Sequence, residues 1–490
     1  MTRLSDLYRP SLALLTDLYQ LTMAAGYHRQ GAPAAEAVFH LFFRRPPFGG
    51  GFTVACGLHR ALDLIAGFRF EDEDLRYLAT LKGNDGGPLL SAPFLQHLAH
   101  LELGCDVDAV PEGTVVFPHE PLLRVQGPLL QCQLLETALL NVVNFESLIA
   151  TKAARVCLAA RGDPVIEFGL RRAQGIDGAL AASRAAYVGG CAATSNVLAG
   201  RLHGIPVKGT HAHSWVMSFE DELTAFRAYA DAMPNNCVFL VDTYDTLEGV
   251  RHAAQVGKEL AARGHRLAGI RLDSGDLAYL AKEARKILDE AGFPDAVIVA
   301  SNDLDEHLIA SLKEQGAPIA VWGVGTKLVT AHDQPALGGV YKLSAIRHDD
   351  GPWQHRVKLS EQAVKISTPG IQQVRRYLDG DRPVADMILD VDHPPDGAGV
   401  IVDPLDPTRR RSMPAGAPYR DLLVPMVRSG RRVYEPHALD DVRAEAARQL
   451  AGFHEGIKRQ DNPHQFPVGL ELGLHELRHR LVCEARGITP

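Results

Sequence analysis

Short apolar runs recur through the middle of the chain: PVIEFG (164–169), IPVKGT (205–210), CVFLVD (237–242), LAGIRLD (267–273), AVIVASN (296–302) and IAVWGVG (319–325). Between most of them lie helical patterns, such as ELTAFRAYADAM, LEGVRHAAQVGKELAARG, LAYLAKEARKILDEAG and EHLIASLKEQG. Strand and helix patterns that alternate in this way give parallel strands, because the crossover helix carries the chain back to the same end of the sheet. The pattern predicts an α/β fold. Six or seven such units fit a closed β/α barrel better than an open sheet. The units share no sequence, so this is not a repeat protein.

With 490 residues the chain exceeds one simple domain and predicts two or three. Residues 1–150 are expected to form an N-terminal α/β domain, joined by part of 345–435. Residues 151–345 are expected to form the barrel, and 436–490 a C-terminal helical cap. The stretch VPEGTVVFPHEPLLRVQ (110–126) alternates and carries turn residues, which predicts a β-hairpin. A long helix is expected from about Leu129 to Ala160, where Gly and Pro are absent.

The net charge is −8, and Lys and Arg are spread along the chain. That argues against a nucleic-acid partner, which needs a basic patch. An anionic substrate would need a local basic pocket. Seven cysteines (56, 105, 132, 157, 191, 237 and 483) are scattered, with no CxxC pair. Such a set predicts neither a structural zinc site nor a disulfide framework, and suits a reducing cytoplasm. No apolar run is long enough to span a bilayer, and the N-terminus has no sustained apolar segment. The expectation is a soluble cytoplasmic protein without a membrane partner or a permanently bound cofactor.

The apolar runs end in EFGLRR, GTHAHS, DTYD, RLDSGD, SND and GVGTK. Barrel enzymes place their active sites at the carboxyl ends of the strands. Arg171, Arg172, Thr210, His213, Asp242, Arg271, Asp273, Asn302 and Thr326 are therefore expected to converge on one mouth. Arginines grip carboxylates or phosphates with two parallel bonds. Gly323, Gly325 and Thr326 make a small-residue turn whose N–H groups can hold a phosphate. Asp242 and Asp273 suit ribose hydroxyls or a magnesium diphosphate. Together these groups suggest a phosphorylated sugar plus a small anion. His211 and His213 admit three readings: a metal grip, packing, or a phosphate acceptor. A metal-dependent barrel hydrolase would need further histidines at later strand ends, which offer Asp, Arg, Asn and Thr instead. His213 is expected to be the phosphate acceptor. His211 is expected to be supporting or structural.

The stretches TDLYQLTMAAGY (16–27), FFRRPPFGGGF (42–52), EFGLRRAQGIDGALAASRAAYVGG (167–190), GTHAHSW (209–215), LVDTYDT (240–246), IRLDSGDL (270–277), ASNDLDE (300–306) and WGVGTKL (322–328) together resemble the nicotinate phosphoribosyltransferase family. The match runs in order over about residues 10–380. The resemblance implies a type II phosphoribosyltransferase fold, an irregular β/α barrel plus an α/β sandwich-like domain, working as a homodimer with shared active sites. It implies that nicotinate, phosphoribosyl pyrophosphate, ATP and water give nicotinate mononucleotide, diphosphate, ADP and phosphate through a phosphohistidine, in NAD salvage. Mg²⁺ would accompany ATP and phosphoribosyl pyrophosphate. By the same resemblance, Tyr19 of a partner subunit and Phe168 cover the two faces of the pyridine, and Thr210 and Arg271 hold nicotinate. Arg171 and Asp273 contact the phosphoribosyl group, Gly323, Gly325 and Thr326 its phosphate, and His213 is phosphorylated. Lys342, Lys358 and Lys365 would line the diphosphate or ATP path. One departure stands out: Pro369 and Gly370 are followed by Ile371, Gln372 and Gln373, where the family often has lysine. Nicotinamide-using relatives resemble this chain too, but carry an aspartate around Ser195.

Overall fold

The computed structural model describes residues 11–31, 35–395 and 397–489. The chain forms two compact units. One gathers the chain up to Ser147, Ala336–Ala438 and the chain from Arg448 onward; the other is Leu148–Pro335 with Leu439–Ala447.

The second unit holds the strands Val165–Glu167, Ala193–Thr194, Val238–Leu240, Gly269–Leu272, Val297–Ala300 and Val321–Val324. Every ladder among them is parallel. The order starts at Ala193–Thr194, continues through Val165–Glu167, then steps back through the last three strands to Val238–Leu240. The ring is completed irregularly. Thr194 forms a lone parallel bridge with Val207, with its N–H 3.0 Å from Pro206 O and its carbonyl 3.1 Å from Lys208 N. Across the remaining gap, Leu240 N–H donates to His211 Nε2 at 3.2 Å. A side chain thus stands where a ladder would be.

Local chemistry sets where each crossover helix begins. Asp221, Asp245, Asp276 and Asp305 precede the helices Glu222–Ala232, Thr246–Ala262, Leu277–Glu290 and Glu306–Glu314, and each accepts from first-turn N–H groups. Those donors have no partner inside the helix, so a carboxylate there fixes the helix start. The helices pack closely on the strands: a Cβ at Gly249 would meet Val241 O at 2.1 Å. Inside the layer Phe226 stacks on Phe239 at 4.6 Å, and the fully buried Trp322 donates to Asp163 at 3.0 Å.

The first unit is built on two larger sheets. In the seven-stranded sheet all pairings are antiparallel, and Glu36–Phe42 lies between Val340–Arg347 and Leu123–Pro128. In the six-stranded sheet Arg382–Asp390 lies between Gln372–Asp379 and Val468–Glu471. Arg376 is fully buried there. It pairs with Asp386 at 2.5 Å and sits within 6 Å of the rings of Phe117, Phe453 and Phe466. The carboxylate neutralises the charge, and the ring faces stabilise the flat cation.

Several expectations change here. The hairpin arms are Asp106–Ala109 and Leu123–Pro128, while Val115–Val116 pairs with Thr53–Val54. Gly113 and His119, both at positive φ, divert the chain between them. The expected helix from Leu129 is two helices, Leu129–Leu134 and Glu136–Ala159. IPVKGT contributes only the Val207 bridge, and the two-residue strand Ala193–Thr194 takes the place a full strand would have had. The tail is no separate helical cap. Val468–Glu471 is an interior strand, because its apolar residues complete the sheet core, and the compact units divide at Ser147 and Pro335. At the family departure, Gln372 and Gln373 are buried and bind backbone carbonyls of Thr368 and Leu423, a role for neutral amides. The seven cysteines are free thiols, and among the described residues no helix is long and apolar enough to cross a membrane.

In the second unit Glu306 binds Lys152 at 2.6 Å and Arg155 at 2.7 Å, with all three side chains at most 2% exposed. Burial pushes the Glu306 carboxyl up, but the two cations outweigh burial and hold it below the usual glutamate range. Its contribution to stability is therefore full above that range and is lost as pH falls through the lowered value. Glu306→Gln is expected to lower the unfolding free energy at pH 7 by roughly 1.5–3 kcal/mol, since it removes a carboxylate shared by two buried cations, of which Lys152 keeps Asp333 at 2.5 Å. The deficit should shrink below the usual glutamate range. Urea denaturation of both proteins at neutral and acid pH checks this; a deficit independent of pH would assign the cost to packing.

Candidate active site

Arg271 lies in the strand Gly269–Leu272, between the fully buried Ile270 and Leu272. Strand alternation turns its side chain away from theirs. Its guanidinium is held by residues that follow two strands and the Val207 bridge. Nε donates to Ser301 Oγ at 2.8 Å, Nη1 to Thr210 Oγ1 at 2.9 Å and Nη2 to Asp273 Oδ1 at 3.0 Å. It lies 5.5 Å from the Phe168 ring centroid. A guanidinium has five N–H donors; three are engaged, so two remain, one on each terminal nitrogen.

Asp273 is the electrostatic partner. Burial raises its pKa, but the Ser301 hydroxyl and the Arg271 guanidinium outweigh that and hold it below the usual aspartate range. Its backbone N–H and the Ser274 hydroxyl both bind Asp242 Oδ2, at 2.8 and 2.6 Å. Asp242 Oδ1 is buried and accepts no hydrogen bond. Such an atom is costly unless a ligand hydroxyl or a cation completes it.

His213 opens the short helix His213–Met217. Its Nδ1 is 3.1 Å from Thr243 Oγ1, and its Nε2 is 3.9 Å from Asp242 and 3.7 Å from Asp273. The side chain is 39% exposed, so it is within reach of a ligand. His211 is buried among Phe226, Tyr229 and Phe239. The two histidines cannot grip one metal ion, because His211 Nε2 is taken by Leu240 N–H and its Nδ1 faces Ala212 O at 3.4 Å.

Phe168 follows the strand Val165–Glu167, and its ring lies over Gly323, where a Cβ would stand 2.6 Å from it. Gly323 is thus a strand residue kept small by Phe168, which corrects its expected place in the phosphate turn. Gly325 and Thr326 stand at the start of the helix Thr326–Val329. Lys327 does not face them as a free cation, since it pairs with Asp305 at 2.5 Å. Arg171 and Arg172 are exposed on a short 3₁₀ turn, and Arg171 makes no ion pair among the described residues. Asn302 has φ +88° and Asp303 φ +46°, strained conformations for residues with side chains.

Sequence reasoning missed five supports. Ser301 bridges Arg271 and Asp273. Thr243 anchors His213. Ser183 and Thr194 bind the buried Glu167 carboxylate at 2.8 and 2.6 Å, and Glu167 also accepts from Gly169 N–H, which steadies the loop carrying Phe168. An acidic residue inside the run PVIEFG was the available signal. Ser195 donates its N–H to Glu167 O at 2.9 Å, one residue before Phe168. Tyr19, Lys342, Lys358 and Lys365 belong to the first unit. Tyr19 is 48% exposed on the helix Leu18–Arg29, and Lys342 is half-buried in a strand.

Three family models match the chain: the nicotinate phosphoribosyltransferase N-terminal domain over residues 14–144, the family over 164–353 and the C-terminal domain over 371–478. Nicotinate phosphoribosyltransferase of Bacillus subtilis is 51% identical over 75% of this chain and 74% of its own length. The human protein of the same name is 37% identical over 96% of each chain. The crystal structure of human nicotinic acid phosphoribosyltransferase superposes with a TM-score of 0.83 at 35% identity, covering 95% of this chain and 99% of that one. Its α/β architecture is that of those solved structures, and the chain belongs to the nicotinate phosphoribosyltransferase family.

Proposed function

We propose that this protein transfers the phosphoribosyl group of phosphoribosyl pyrophosphate to the ring nitrogen of nicotinate, in NAD salvage, with ATP spent through a phosphohistidine. The observation that carries the reading is Arg271: a guanidinium fixed by three partners, beside the Phe168 face, with one N–H left on each terminal nitrogen. That arrangement suits a flat ring bearing a carboxylate.

In this reading Phe168 and Arg271 aim the pyridine nitrogen at C1 of the ribose. The nitrogen carries no proton near pH 7, so no general base is required, and orientation does most of the work. As the C1–oxygen bond loosens, C1 gains positive charge. Asp273, kept ionised by Ser301 and Arg271, stabilises that charge at fixed geometry. The N–H groups at Gly325 and Thr326 hold the 5′-phosphate, and Arg171 contacts the phosphoribosyl group from its exposed turn. Mg²⁺, arriving with the substrates, would neutralise charge on the diphosphate; the unpartnered Asp242 Oδ1 is a hard oxygen donor of the kind it takes.

ATP would phosphorylate His213, the reachable histidine, while His211 is spent on the fold. Lys342, Lys358 and Lys365 would line the diphosphate or ATP path. We further propose a cytoplasmic homodimer in which Tyr19 of one subunit closes the pyridine site of the other; the free thiols suit that compartment and the exposure of Tyr19 suits that role. Incubation with phosphoribosyl pyrophosphate, ATP and either nicotinate or nicotinamide, with the product identified by mass, tests the reading. The acid should give the mononucleotide and the amide little or none.

Arg271→Lys removes the planar fork. The loss of one charge-assisted bond costs roughly 1.5–3 kcal/mol, so KM for nicotinate should rise by about one to two orders of magnitude. An unaltered KM in steady-state assays would place the carboxylate elsewhere.

His213→Ala should abolish ATP hydrolysis and leave a slow, ATP-independent synthesis. Label from γ-phosphate should appear as an acid-labile, base-stable adduct on the native chain and be absent from this variant. Label that persists in His213→Ala would assign the phosphate to another residue.

Tyr19→Ala and Arg271→Ala, each inactive alone, should regain activity when mixed under conditions of subunit exchange, since a heterodimer keeps one intact site. Mixed dimers that form, as seen by mass spectrometry, yet stay inactive would show that the sites are not shared.

A further inference from the structure

The gap in the barrel ring raises a question that the reaction does not answer. Val238–Leu240 pairs with Gly269–Leu272 on one side only. On its other side runs the segment after Val207, which carries Thr210 and His213. A regular strand there would satisfy Leu240 N–H through the backbone. It would also alternate side chains, so that Thr210 and His213 faced opposite ways. The chain instead stays extended through Ala212 and turns into the helix His213–Met217. That turn brings His213 back beside Asp242 and Asp273 and leaves Leu240 N–H without a backbone acceptor.

We infer that His211 is a positioning residue: its neutral imidazole replaces the missing ladder, ties the Thr210–His213 segment to the strand Val238–Leu240, and so holds Thr210 on Arg271 and His213 on Thr243. Four observations carry this. Leu240 N–H donates to His211 Nε2 at 3.2 Å, which requires the proton on Nδ1, and Nδ1 faces Ala212 O. The ring is clamped by Tyr229 at 4.9 Å, with Phe226 and Phe239 at 6.0 and 6.2 Å. The His211 carbonyl accepts from Thr210 Oγ1 at 3.0 Å, which turns that hydroxyl's lone pairs toward Arg271 Nη1. Thr243, the anchor of His213, lies three residues past Leu240, so both ends of the His213 contact hang from the same joint. Burial pushes the His211 pKa down to about 4, so the acceptor nitrogen stays free through the neutral range. An acceptor side chain packed in an aromatic clamp joins the two segments at one point. It leaves the residues on either side free to face the mouth.

The inference rests on the reaction proposed above for its kinetic readout, but not for its structural one. Nitrogen-15 spectra of the ring should show the Nδ1–H tautomer without titration between pH 5 and 8 (about the usual histidine range), and Leu240 amide exchange should accelerate in His211→Ala. In the same variant the KM for nicotinate should rise about three- to tenfold, the range for one lost neutral hydrogen bond, and more ATP should be consumed per mononucleotide formed. His211→Gln, whose Oε1 can accept from Leu240 N–H, should restore both values to within about twofold of native. An Nε2–H tautomer would overturn the proposal. So would a folded His211→Ala protein with native KM and native ATP consumption, even if Leu240 exchanged faster. If the native chain transferred no phosphoribosyl group to nicotinate, the reaction would fall, and the tautomer and exchange results would decide this proposal alone.

Discussion

A guanidinium drawn out of water needs a countercharge and hydrogen-bond partners, and Arg271 engages three of its five N–H groups by drawing three loops onto itself. Thr210, Asp273 and Ser301 come from separate crossings of the barrel, and Arg271 is the one group that touches all of them. The loops are short and follow capped helices or strands, so their positions at the mouth are coupled. Asp273 then carries the network on to Asp242 through its backbone N–H, and Asp242 and Asp273 together face His213. Removing Arg271 would therefore unmake more than a ligand contact. It would leave the half-buried Asp273 without its guanidinium countercharge.

The same network explains how a chain with net charge −8 can serve anionic substrates. The charge that matters is local. Arg171 and Arg172 are exposed, while the carboxylates of Asp242 and Asp273 are tied down by N–H and O–H groups. Anchored carboxylates beside free donors suit a reaction in which one atom gains positive charge while its leaving group gains negative charge. The strain at Asn302 and Asp303 lies at the same mouth, next to Ser301.

Much of this was legible in the sequence, for reasons that differ by element. Parallel strands leave their polar ends together, and of the residues so expected the contacts join Thr210, His213, Asp242, Arg271 and Asp273. Pairings between distant segments were not legible. Val115–Val116 turns to Thr53–Val54, and Val468–Glu471 enters a sheet formed mainly of residues 372–421, because strand pairing is decided by long-range closure. Ala193–Thr194 was too short to show a period. Ser301 and Thr243 carry no charge or motif of their own, and their roles follow from what stands across the barrel.

The amino-acid sequence by itself determined the class of fold, the family and the chemistry available at each strand end, since all three depend on local pattern and on the order of motifs. It also narrowed the GTHAHS segment to two histidines. The family resemblance pointed to His213, but the reason one histidine is open and the other walled in lies in the tertiary structure. Residues two apart in a strand share a face, so sequence spacing would present both. The helix beginning at His213 turns one toward Asp242 and Asp273, and the open edge at Leu240 N–H draws the other into the wall. That unsatisfied donor exists only once the barrel has closed around it.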